Sequence, residues 1–103
     1  MEKLLFRFPA TKKLNSVSHV GVVGSGDLEI LMEPLDGTYT EVIVRTGTTG
    51  FKETWSYVLE RFFSQHDVSA MIKINDFGAT PGVVTLRLSQ ALEVANDAQY
   101  VEK

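Results

Sequence analysis

Cysteine is absent from the 103 residues. That excludes disulfides, thiolate metal sites and a cysteine nucleophile. Any thioester chemistry must therefore use a thiol brought by another molecule. Histidine is scarce, with only His19 and His66, and no His-x-x-x-His spacing exists. A metal site is not expected from that set. No apolar run approaches the ~20 residues that a membrane span requires, and no secretory leader is recognisable. We expect a cytoplasmic protein without a membrane partner. Basic residues are also short: ten Lys and Arg against thirteen Asp and Glu leave a net charge of −3. Nucleic-acid binding needs a net basic face that displaces counterions, so nucleic acid is not an expected partner.

The remaining composition is that of one globular domain. Hydrophobic residues make up 44% and charged residues 22%, enough for a single modest core over residues 1–103. Charge is uneven along the chain. Lys3, Arg7, Lys12 and Lys13 oppose only Glu2 in the first 13 residues, giving +3, and the other 90 carry −6. Residues 1–13 form a solvated basic arm or, because Leu4, Phe6 and Phe8 alternate with other residues, an edge strand.

Further along, Val20–Val23 is a short buried strand, broken by the turn formers Gly24-Ser25-Gly26-Asp27. Leu28, Ile30 and Met32 alternate with Asp27, Glu29 and Glu33, a half-buried strand of period two. The two runs predict a hairpin with Ser25 at or near its tip. Tyr39 to Arg45 predicts a further strand, with Val42 and Val44 on one face. Phe51, Trp55, Val58, Leu59 and Phe62 then form one helical apolar stripe, with Thr49 as a candidate N-cap. Ala70, Ile72 and Ile74 predict the next strand, and Asp76–Gly82 a long turn. For residues 83–95 two patterns compete. Val84, Leu86 and Leu88 alternate as in a strand, whereas Val84, Leu88, Leu92 and Ala95 share a helical face. We prefer a strand to Leu88, a short helix over 89–96 and a frayed tail at 97–103. The fold class is α+β: one mixed or antiparallel sheet of about five strands, with one main amphipathic helix and a short C-terminal helix on one face.

Familiar motifs fail on context. Gly21-Val-Val-Gly24-Ser-Gly26 reverses the dinucleotide fingerprint and leads into a strand, where a phosphate cradle needs a helix N-terminus. Asp76-Phe77-Gly78 spells a kinase triplet in a chain far too short for a kinase. No G-x-S-x-G elbow surrounds Ser25, and no base with its orienting partner can be assigned. Catalytic residues are thus not predicted. Flanked by two glycines, Ser25 offers its hydroxyl to a bulky modifying partner; an ordinary turn is the competing account.

The stretches Val20-Gly-Val-Val-Gly-Ser25-Gly-Asp-Leu-Glu, Asn75-Asp-Phe-Gly-Ala-Thr-Pro-Gly-Val-Val and Leu86-Arg-Leu resemble the acyl carrier subunits of bacterial malonate decarboxylases. The resemblance runs from the Phe6-x-Phe8-Pro9 segment to about Glu93. A more distant one, Ser-Gly-Asp with a later Asp-x-Gly-Ala, links the chain to citrate lyase carriers. The resemblance implies that Ser25 holds 2'-(5''-phosphoribosyl)-3'-dephospho-coenzyme A through a phosphodiester, with Gly24, Gly26 and Asp27 framing the site. It implies a non-catalytic subunit whose borrowed thiol carries acetyl and malonyl groups while malonate becomes acetate and carbon dioxide. The implied partners are transferase and decarboxylase subunits, an enzyme that attaches the group, and a malonyl or acetyl donor. Tethering raises the acyl group's effective concentration at successive sites. An unmodified structural or regulatory subunit is the alternative of a different class.

Docking is expected at the acids near the tip, Asp27, Glu29, Glu33 and Asp36, with Asp27 and Glu29 on one strand face. Asp27→Lys should then slow loading or transfer with little change in thermal stability. The Asp76–Gly82 turn is expected either to brace the Ser25 hairpin or to touch partners. His19 is expected to be an ordinary satisfied histidine rather than a contact of the prosthetic group.

Overall fold

The computed structural model describes residues 2–21 and 26–101, with side chains through residue 96. In chain order the elements are β1 (Glu2–Pro9), β2 (Ser18–Gly21), β3 (Leu28–Pro34), β4 (Tyr39–Thr46), α1 (Lys52–Gln65), β5 (Ala70–Asp76) and α2 (Pro81–Val101). The strands make one mixed sheet in the order β1-β4-β5-β3-β2. All neighbours are antiparallel except β4 and β5, the pair that α1 connects.

Strand alternation sends one set of side chains inward. Ile30, Met32, Val42, Val44, Ile72 and Ile74 are all but inaccessible to solvent. Both helices cover that face. α1 lies toward β1, burying Trp55, Val58, Leu59 and Phe62, and α2 lies over β3 and β2. The opposite face is open: Leu5, Ile43, Lys73, Leu31 and His19 form one cross-strand row on it, and Leu5 is 63% exposed.

The basic N-terminal segment is an edge strand. All eight residues of β1 pair with β4, and Arg7 bridges to Glu41 at 2.9 Å. β2 and β3 pair antiparallel as the sequence predicts, with Gly21 opposite Glu29 and Ser18 opposite Met32; Val22, Val23 and the tip of the predicted hairpin lie outside the described residues. β2 starts two residues earlier than expected.

Two expectations need correction. No strand forms over Val84–Leu88. Residues 81–101 are one helix, so the short helix over 89–96 and the tail beginning at 97 are parts of α2, which is helical to Val101. Val84, Leu88, Ala91 and Ala95 are its buried stripe at helical spacing, while Leu86 is 52% exposed. Thr80-Pro81, taken above as part of a turn, is the helix start. Pro81 occupies the first helical position, where its missing N–H is not needed, and Thr80 Oγ1 accepts from Val83 N at 3.3 Å. Local β propensity in Val83-Val84-Thr85 yields to the need to cover β2 and β3. The second correction is at α1. Its N-cap is Phe51, without a side-chain bond, not Thr49, and Phe51 is 50% exposed rather than part of the core stripe.

Candidate functional site

Gly24 and Ser25 lie outside the described residues. Their neighbours Gly26 and Asp27 do not, and both are held tightly. Gly26 N donates to the Phe77 carbonyl at 2.7 Å, and Phe77 N donates to the Asp27 carbonyl at 2.8 Å. This reciprocal pair carries the β3–β5 ladder one step past the sheet, into the turn that follows β5. That turn is itself fixed by Asp76. Its Oδ1 accepts from Gly78 N at 3.1 Å and Ala79 N at 2.8 Å, and Oδ2 accepts from the Thr46 hydroxyl at 2.9 Å. Gly78 takes φ +98°, and a Cβ there would meet Gly26 N at 3.6 Å. Of the two expected roles for the Asp76–Gly82 turn, bracing the hairpin is the one the structure displays.

Asp27 is fixed from the other side by α2. Arg87 grips it with two parallel bonds, Nε to Oδ1 at 3.1 Å and Nη2 to Oδ2 at 2.7 Å, and Leu28 N adds a third donor at 2.7 Å. Gln90 Oε1 accepts from Arg87 Nη1 at 2.8 Å and orients the fork. The Arg87 guanidinium, with help from the Leu28 N–H, holds the Asp27 carboxyl below its ordinary value, and Asp27 in turn raises Arg87.

The face expected to hold both Asp27 and Glu29 does not form. Asp27 turns toward α2, whereas Glu29 lies on the open face, where it accepts from Asn75 Nδ2 at 3.0 Å and meets His19 Nε2 at 2.7 Å. Asn75 first, then His19, lowers the Glu29 carboxyl. Glu33 lies 4.0 Å from Lys73, and Asp36 is 2.6 Å from Lys13. Each acid thus has a donor in its own chain. Lysine at position 27 would face Arg87, so Asp27→Lys is expected to lower thermal stability as well. His19 is satisfied by Glu29, as expected, and the ring of His66 stacks on Phe62 with centroids 4.3 Å apart.

Beside the Asp76 turn, between the N-terminal ends of α1 and α2, a cleft of about 290 Å³ opens. Phe51, Trp55, Ala79 and Val84 supply apolar wall, and Thr48 and Thr54 bring hydroxyls. Sequence reasoning missed both Arg87 and this cleft. Arg87 sat within a recognised block, but a strand reading placed it on a solvent face.

The malonate decarboxylase delta subunit family model matches residues 15–95. The chain belongs to that family. It is 48% identical to the malonate decarboxylase acyl carrier protein of Azotobacter vinelandii over 94 residues, covering 90% of this chain and 95% of that one. The protein of the same name from Pseudomonas fluorescens is 48% identical over 95 residues, with the same coverage. A chain of a crystallised Pseudomonas malonate decarboxylase hetero-tetramer, in complex with malonate, superposes with a TM-score of 0.88 at 44% identity, covering 92% of this chain and 99% of that one. The five-stranded α+β fold is therefore shared with a subunit of a malonate decarboxylase.

Proposed function

We propose that this chain is the non-catalytic acyl carrier subunit of a cytoplasmic malonate decarboxylase, with Ser25 as the attachment point of 2'-(5''-phosphoribosyl)-3'-dephospho-coenzyme A. The family match favours malonate decarboxylase over citrate lyase. One observation carries the assignment of the site. The two residues after Ser25 are clamped to Phe77 and Arg87, yet Gly26 itself is exposed, and a Cβ added to it would meet nothing within 4 Å. Rigid backbone beside open space suits a residue that an attaching enzyme must reach and that then bears a bulky group. The fit is chemical as well. The chain has no thiol of its own, and the described residues nearest Ser25 supply a fixed frame, with no histidine bonded to them.

When bound, the group supplies the thiol on which acetyl and malonyl units are carried between the transferase and decarboxylase subunits. This chain's residues do the positioning. Gly26 leaves the approach clear. Phe77 fixes Gly26 and Asp27 against the turn that Asp76 holds, and Arg87 ties Asp27 to α2.

The test is intact mass. Protein isolated from its natural host with its partners should be heavier than the bare chain by the phosphodiester-linked group, and Ser25→Ala should abolish the increment. A bare-chain mass for the wild type from that source would refute the assignment. Co-isolation with transferase and decarboxylase subunits is expected beside it.

A further inference from the structure

The cleft between the helix N-termini has no role in the reading so far. Its placement is informative: Asp76 and Gly78 line it, and they belong to the same turn that grips the residues after Ser25. Its chemistry is narrow. No Lys, Arg or His lines it, and the one charged group on its wall is the carboxylate of Asp76. A phosphate or a malonyl carboxylate is therefore unwelcome there, and a neutral occupant is favoured. Two aromatic rings contribute to the wall, the half-exposed Phe51 and the largely buried Trp55, which is 6% exposed. Among the described residues neither stacks on another aromatic ring; the ring pairs formed are Phe8–Phe63, Phe62–Phe63 and Phe62–His66. The hydroxyls of Thr48 and Thr54 offer donors and acceptors at the edge. At about 290 Å³ the space lies at the lower end of small-molecule pockets, which suits one ring system rather than a whole nucleotide.

We propose that this cleft is a nucleobase clamp that holds the adenine ring of the prosthetic group. The inference rests on the carrier reading above and extends it to residues far from Ser25 in sequence. The covalent order of the group selects the occupant. Outward from the serine come phosphate, ribose and adenosine, and only then the pyrophosphate and the pantetheine. Adenine is thus the neutral ring nearest the attachment point. A short tether gives it an effective concentration on the order of millimolar, so modest stacking on aromatic wall is enough to keep it seated. With the base seated, only the stretch beyond the pyrophosphate swings, and its sweep is centred on a fixed point of this chain.

Trp55 is the only tryptophan and lines the cleft, so it reports directly. The experiment compares its emission in holo-protein from the natural host and in Ser25→Ala protein from the same host, with the mass of each sample measured first. We expect lower emission and weaker acrylamide quenching in the holo-protein. The difference should vanish when both proteins also carry Phe51→Ala and survive with Phe51→Tyr. Phe51 is half exposed, and a melting curve checks that both variants fold. A bare mass overturns the carrier reading and the clamp together. A complete adduct with unchanged Trp55 emission overturns the clamp alone. So does a signal that changes when hydroxylamine removes the acetyl group, since that places the acyl end, not the base, in the cleft.

Discussion

The two ends of the sheet use the same device to opposite effect. At the end away from Ser25, Asp67 accepts from Thr11 N and Lys12 N and from the Thr11 hydroxyl, just as Asp76 caps its own turn at the other end. There the resemblance stops. The far end is stapled shut. Ser69 is buried, with its hydroxyl among the carbonyls of Leu35, Gly37 and Tyr39 at 2.9–3.0 Å. Ser69 N donates to Lys12, Leu14 N returns a bond to Ser69, and the Thr40 hydroxyl donates to Val68. At the near end the bonds gather on the Asp76 turn and on Gly26 and Asp27, while Gly26, Gly47 and Gly50 face open space. One end secures the architecture; the other holds a single loop and leaves room around it.

Variants can break or sharpen that contrast. The largest loss of stability is expected inside the near end, at Gly21. Its φ is +101° and a Cβ would run into the Leu28 carbonyl, so Gly21→Ala should lower stability by about 3 kcal/mol in urea melts. Gly26→Ala, also at positive φ but facing open space, should lose only ~1–2 kcal/mol. Equal losses would show that room around residue 26 is not what separates the two glycines.

Ser69→Ala comes next. Removing the hydroxyl from three carbonyls at a buried position should lower stability by about 2 kcal/mol, read as a drop of roughly 4–8 °C in Tm for each kcal/mol, with prosthetic-group attachment unimpaired. Arg87→Met should do the reverse, slowing attachment by on the order of tenfold to a hundredfold through a misplaced loop. If Ser69→Ala slows loading as much as Arg87→Met does, the division of labour between the ends is wrong. A smaller effect is expected at Thr80, where Thr80→Ala removes the α2 cap and should lower stability by ~1 kcal/mol.

Acid gives the mildest probe. Asp27, Glu29, Asp36 and Asp67 all have carboxyls held below their ordinary values, chiefly by Arg87, Asn75, Lys13 and Thr11 respectively. A depressed folded value means that their contribution is complete above the unfolded carboxylate range of about 4 and is lost as pH falls through the lower folded values. Trp55 emission against pH should stay level from neutrality down to about 5 and change only below about 4. A transition beginning near neutrality would contradict this.

Strand alternation made most of the sheet legible, because period two survives wherever one face is buried and the other is wet. The β2–β3 pairing, β4 and β5 follow directly from it. What alternation could not supply was the partner of each polar residue. Arg87 lies sixty positions from Asp27, and no local pattern joins them. In α2 the same residues fit two periods at once, and Thr80-Pro81 looked like a turn because turns and helix starts favour the same residues. The clustered acids misled for a related reason. Asp27 and Glu29, two positions apart, would share a face in a continuous strand, but β3 begins only at Leu28, and Asp27 turns instead to Arg87 on α2.

The strand order bears on how the protein is made. β5 emerges last of the strands yet sits in the middle, between β4 and β3, so β1–β4 and β2–β3 remain separate fragments on the ribosome until residue 76 is available. Phe77, which pins the base of the serine loop, follows immediately. An attaching enzyme that recognises the pinned loop would therefore pass over nascent and truncated chains and load only those whose sheet has already closed.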